Sequence, residues 1–204
     1  GLVLGLAEIH FFVSGGKAFE QPDRKRELTR QEKQDIEVFG QVTARTQSMM
    51  VSENNFSVEA WGVIDEMLGA WRVQRPPTAT RGVGLGRLVA MRVGDTAPFF
   101  LGRVSALSQE PDGRLVATVT LYPGRPEPLA VRAADARNRA SAQWSQGFRL
   151  PANERIKVAA SLVVPSGVAS RGRGVEAWTA DGPRESTVYE VLERGADFDR
   201  ITVF

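Results

Sequence analysis

Hydrophobic positions along this chain change rhythm near residue 57, from helical spacing to strand spacing. Residues 2 to 13 (LVLGLAEIHFFV) are apolar on nearly every side, which predicts a buried helix or a segment covered by a partner. Ser14-Gly15-Gly16 ends that run, and residues 17 to 27 read as a polar connector. Thr29-Arg30-Gln31-Glu32 has capping-box spacing, a hydroxyl for orphan N–H groups and a Glu reaching back. Behind it Ile36, Phe39 and Val42 form one apolar stripe, predicting an amphipathic helix that frays near Thr46. Gly40 weakens that helix by about 1 kcal/mol relative to Ala.

From there the texture is β. Alternation or β-branched enrichment predicts strands at Val58–Ile64, Trp71–Gln74, Arg87–Val93, Phe99–Leu107, Arg114–Tyr122 and Leu129–Ala133. A second group follows at Gln143–Leu150, Ile156–Val164, Val175–Thr179, Thr187–Leu192 and Ile201–Phe204. Pro111-Asp112-Gly113 supplies a turn with a mechanism: Pro sets φ, Asp bonds back to the backbone, and Gly takes positive φ. Residues 133 to 141 are a polar break. Short strands spaced by turn signals favour barrels over a parallel α/β sheet. The expected fold is mainly β: an N-terminal helical arm (1–56), then two small antiparallel β-barrels (57–133 and 138–204).

Composition narrows the chemistry. Hydrophobic residues make up 42%, enough for a real core and against wholesale disorder. The net charge is only +2, from 26 basic and 24 acidic residues, so the pI near 9.3 is no sign of a nucleic-acid surface. Zero cysteines exclude disulfides, thiolate metal sites and cysteine nucleophiles, and suit a reducing cytoplasm. The run from Leu2 to Val13 is too short to span a bilayer and lacks the positive lead of a signal peptide. The chain does not begin with Met, which suggests a piece of a longer protein.

The stretch Val63-Ile64-Asp65-Glu66-Met67-Leu68-Gly69-Ala70-Trp71-Arg72-Val73 reads as strand, tight turn, strand. With Leu85–Arg92 and Phe100–Val104, it resembles the PilZ family, bacterial β-barrels that sense cyclic di-GMP. Members carry an Arg-x-x-x-Arg element before the barrel and an Asp-x-Ser-x-x-Gly turn between early strands. The resemblance implies that the arginines grip phosphate and stack on guanine, while the turn reads a guanine edge. Arg26-Glu27-Leu28-Thr29-Arg30 matches the first element, and Asp65 matches the second. Met67 stands at the Ser position and Ala70 at the last Gly position, with Gly69 one residue early. His10-Phe11-Phe12, Leu28-Thr29-Arg30 and Glu193–Arg200 also resemble a longer, uncharacterised bacterial branch of PilZ-like sequences.

The remaining constellations have bland readings that outweigh the functional ones. His10 is the single histidine, in an apolar run, so no Ser–His–acid set and no convincing metal site can be assembled. Gly82–Gly86 leads into a strand, not a helix, and lacks the Lys-Ser/Thr of a phosphate loop. Arg171-Gly172-Arg173-Gly174 reads as a solvated loop. Glu193, Asp197 and Asp199 have Arg194 and Arg200 as neighbours, which suggests ion pairing. Trp61, Trp71, Trp144 and Trp178 read as packing residues.

The expected function is a non-catalytic bacterial signalling or adaptor module, PilZ-like, with cyclic di-GMP binding weak or lost. It needs no cofactor, cyclic di-GMP being a possible ligand. It is expected in the cytoplasm, with contacts to a protein partner or a second copy through the N-terminal apolar segment. The alternative is a true cyclic di-GMP receptor with non-standard contacts. The candidate ligand set is Arg26, Arg30, Asp65, Met67, Arg72 and Arg75, with Arg81 nearby. A nucleic-acid-binding β module, resting on Arg137, Arg139, Arg171 and Arg173, ranks below both.

Overall fold

Gly5 breaks the first apolar run in two. Its backbone takes φ 84°, which residues bearing a side chain rarely adopt. Strand β1 (Leu2–Leu4) precedes it and helix α1 (Leu6–Val13) follows. The helix expected over residues 2 to 13 is therefore a three-residue strand followed by an eight-residue helix. Gly15 and Gly16, at φ 73° and 82°, close the helix end as expected, their amides donating to the carbonyls of Phe12 and Phe11. The computed structural model describes residues 1–23, 56–77, 79, 81–94, 96–134 and 143–204. The amphipathic helix expected after Thr29 lies outside them, as do Arg26, Arg30, Arg137 and Arg139.

Two antiparallel sheets follow. The first contains β1, β2 (Gly62–Met67), β3 (Ala70–Gln74), β4 (Leu88–Met91), β5 (Phe100–Gln109) and β6 (Leu115–Leu121), in the order β1-β4-β5-β6-β3-β2. The second contains β7 (Glu127–Ala133), β8 (Ser145–Leu150), β9 (Ser161–Pro165), β10 (Gly174–Thr179), β11 (Gly182–Arg194) and β12 (Phe198–Val203). It closes as a barrel, because β7 pairs with both β8 and β10.

The expectation of two barrels is half right. Only the second sheet closes; the first is curled and open. Its two ends approach at one isolated bridge between Leu2 and Glu59, and β2 then runs on beyond that point as an edge. The strand expected at Leu129–Ala133, placed by the sequence in the first unit, starts at Glu127 and belongs to the closed barrel. At the expected turn, the Gly113 backbone takes φ 84° and the Asp112 carboxylate accepts from the Arg114 amide at 3.1 Å. That amide holds the Asp112 carboxyl below the usual carboxylate range.

The sheets share a core. Val3, Leu88 and Leu101 from the first sheet meet Phe148, Val163 and Phe198 from the second, with Ile9 of α1 among them. Side chains this well buried each contribute roughly 1.5–3 kcal/mol. Leu2 and Leu4 join Trp61, Val73 and Val119 in a second cluster. Most of the N-terminal apolar segment is thus covered by its own chain, with Phe12 and Val13 half-buried. Its buried acid, Glu8, accepts from the Ser57 amide at 2.5 Å and pairs with Arg81, which ties α1 to two loops. The expected packing role of the tryptophans holds: Trp61 and Trp144 are buried, and Trp144 meets Trp178 edge to face. No helix among the described residues is long and apolar enough to cross a membrane.

Candidate functional site

The hairpin of β2 and β3 carries three of the candidate ligand residues. Met67 pairs with Ala70, and Gly69 takes φ 75° to close the turn. The turn is a two-residue one, and it needs positive φ at residue 69. Asp65 stands opposite Arg72 across the strands. Arg72 in turn lies 3.6 Å from the Glu110 carboxylate, on the solvent side. The pair is exposed, so its electrostatic worth is small.

Arg75 is turned elsewhere. It sits one residue past β3 and donates to the carbonyls of Ala79 at 2.9 Å and Arg81 at 2.8 Å. It fastens the loop that follows the hairpin, and Arg81 carries that loop on to Glu8. Of the six candidates, the structure gathers Asp65, Met67 and Arg72 on one hairpin and places Arg75 in a loop staple. Arg26 and Arg30 lie outside the described residues.

The most unusual property of the hairpin is exposure. All six residues of β2 are exposed, and β2 is the last strand of its sheet. Val63, Ile64 and Met67 are 44%, 47% and 43% exposed, and Leu68 at the turn is fully so. Edge strands with apolar side chains are templates for pairing, and proteins usually blunt them with charge or a bulge. Both devices are present: the register slips between Val63 and Asp65, and Asp65 and Glu66 bring two carboxylates. Sequence alternation predicts a half-buried strand here; the sheet order is what leaves it bare.

The acids near the C-terminus are structural. Glu193 accepts from the Tyr122 hydroxyl at 2.7 Å and lies 2.7 Å from Arg103. Asp197 accepts from the Leu88 amide at 2.9 Å, beside Arg87. Asp199 is buried, accepts from the Gly167 amide at 3.0 Å and pairs with Arg194. They stitch β11 and β12 to the first sheet and to a loop of the barrel. Gly86 completes the same seam, its carbonyl accepting from the Ala196 amide at 2.8 Å. Residues 171–173 are exposed in the loop between β9 and β10, and Gly174 opens β10. Among the described residues, no group of three or more His, Cys, Asp or Glu could hold a metal ion.

His10 is buried between the rings of Phe19 and Phe148, at 5.3 and 5.7 Å. Burial pushes its imidazole down to about 4, and the Leu129 carbonyl works in the opposite direction. The ring is therefore neutral at physiological pH and acts as packing.

The sequence reading singled out neither Arg92 nor Arg125. They line a cavity of about 410 Å³ where the end of α1, the β4–β5 loop and the β6–β7 crossover meet. No family model matches this chain, and no curated protein or solved structure matches it at a significant level.

Proposed function

We propose that this chain is a non-catalytic contact module of bacterial signalling, PilZ-like in descent, that works through the open edge of β2. The carrying observation is that edge: six exposed residues, with apolar side chains at Val63, Ile64 and Met67. The fitting partner is an extended segment that adds a strand and brings cations to Asp65 and Glu66. Main-chain hydrogen bonds would supply affinity, and side-chain alternation specificity. A second copy fits poorly. In the antiparallel register that overlaps all six residues, Ile64 of one copy faces Asp65 of the other, which sets four carboxylates on four consecutive positions of the ladder.

On this reading cyclic di-GMP binds weakly or not at all, because Met67 brings no hydroxyl to the turn and Arg75 is engaged by backbone carbonyls. Two titrations test it. A labelled extended peptide of alternating Val and Lys should bind in low salt, and Asp65→Lys/Glu66→Lys should abolish that binding. Unchanged peptide affinity in the charge-reversed protein overturns the reading. Calorimetry with cyclic di-GMP should show no micromolar binding. Tight binding that Asp65→Ala removes would favour the receptor alternative.

A further inference from the structure

The cavity at the junction of the two sheets lies beside β4, near the opposite end of the strand order from the hairpin. Strand β4 neighbours β1 at one edge, whereas β2 forms the opposite edge. A site there is independent of the contact reading and does not stand or fall with it.

Its walls come from three separate segments. Phe12 stands in the last turn of α1, Arg92, Thr96 and Phe99 on or beside the β4–β5 loop, and Arg125 and Pro126 on the crossover to the barrel. The Arg92 guanidinium carbon lies 4.9 Å from the centre of the Phe99 ring. Phe12 and Phe99 stand 6.3 Å apart, tilted at 39°. The Arg92 guanidinium and the Phe12 ring thus form one wall, with Phe99 buried behind them. Arg92 has further interactions of its own, so its part is a planar stacking surface. Arg125 is different: it is exposed at the rim, and among the described residues no carboxylate pairs with it. The volume is in the range of small-ligand pockets, which occur preferentially where domains or sheets meet.

We infer that this cavity binds a small organic anion with one planar apolar ring. The ring would lie along Phe12 and the outer face of the Arg92 guanidinium, and the anionic group would face Arg125. A planar guanidinium matches phosphate or carboxylate bidentately, which favours those two groups over a halide. The end of α1 carries the weakly negative pole of a short helix, so the anion belongs on the crossover side of the cavity, away from Val13.

Phenyl phosphate and inorganic phosphate are the probes. Titrated into the uniformly ¹⁵N-labelled chain, phenyl phosphate should give saturable amide shifts confined to Phe12, Val13, Arg92, Thr96, Ala97, Phe99, Gly124, Arg125 and their immediate neighbours. Arg125→Ala, which alters an exposed side chain and leaves the melting temperature unchanged, should weaken that binding at least tenfold. Inorganic phosphate should bind more weakly than phenyl phosphate. Shifts scattered over the surface, unchanged affinity in Arg125→Ala, or equal affinity for the two probes would each overturn the inference.

Discussion

The Tyr122 hydroxyl donates to the Glu193 carboxylate at 2.7 Å, and this bond joins the end of the first sheet to the longest strand of the barrel. The Arg200 guanidinium covers the Tyr122 ring at 4.8 Å, and Phe198 meets its edge. Removing the hydroxyl leaves Glu193 with Arg103 as its remaining partner on that side. Tyr122→Phe should therefore lower stability by about 1–3 kcal/mol, since the bond is charge-assisted and partly buried. Chemical denaturation checks this; a change below about 0.5 kcal/mol, the size of an ordinary surface substitution, would contradict it.

The same phenol sets a limit at high pH. Burial, reinforced by the hydrogen bond to Glu193, pushes Tyr122 well above the ordinary tyrosine value of 10.0. A group held protonated by the fold contributes stability that is complete below its unfolded pKa. That contribution is lost as pH rises beyond it. Stability should fall as pH climbs above 10, and the fall should be shallower in Tyr122→Phe. Equal slopes for the two proteins would show that other groups dominate.

At the acid end the lever is His10. Its folded pKa of about 4 lies below the ordinary value of 6.5, because burial disfavours the charged ring. The contribution is present above pH 6.5 and disappears as pH falls toward 4, because the unfolded chain takes up the proton first. The size is at most roughly 3 kcal/mol, at 1.36 kcal/mol for each pH unit. Urea midpoints at pH 7 and pH 4 measure it, and His10→Gln should flatten the difference between them.

Arg75 separates a structural from a ligand-binding role. Its guanidinium holds two carbonyls of the loop after β3. Arg75→Ala should speed amide exchange around Ala79 and Arg81 and cost about 1–3 kcal/mol. Any cyclic di-GMP affinity should stay the same. An affinity loss of tenfold or more without faster exchange would restore Arg75 to the ligand set.

Within the hairpin, neighbouring strands should respond very differently to substitution. Val73 of β3 is fully buried, and Val73→Ala should cost about 2 kcal/mol. Val63→Thr on β2 is exposed and should move stability by less than about 0.5 kcal/mol while weakening peptide addition. Gly69→Ala should cost about 1 kcal/mol or more, because residue 69 needs positive φ. Thermal melts of the three variants rank the effects, and a different order would mean that β2 is covered.

Much of the fold was legible, for local reasons. Each of the eleven expected strands overlaps an observed one, although Val58–Ile64 meets β2 only over residues 62 to 64 and Ile156–Val164 meets β9 only over 161 to 164, and Pro111-Asp112-Gly113 declared its turn. The failures were non-local. Leu2–Leu4 reads as helix because Gly5 alone, in a run of apolar residues, does not announce that its φ is positive. Closure of one sheet and not the other depends on β7 choosing β8 and β10 as neighbours, a pairing that no periodicity encodes. The site was legible in part. Asp65, Met67 and Arg72 do share a hairpin, but Arg75 spends its donors on carbonyls that side-chain reading cannot see. Arg92 and Arg125 lie 33 positions apart in the chain and meet only through the crossover.

Ile9, Leu88 and Phe148 pack in one cluster drawn from the helix and both sheets. Each sheet also has an apolar cluster of its own, but this shared one is complete only where the helix and both sheets meet. Cutting the polypeptide between Tyr122 and Glu127 would strip oil from both fragments at once, so each would emerge from a ribosome sticky and half-finished. The protein should melt as one unit, and its halves should be rescued only by being made together.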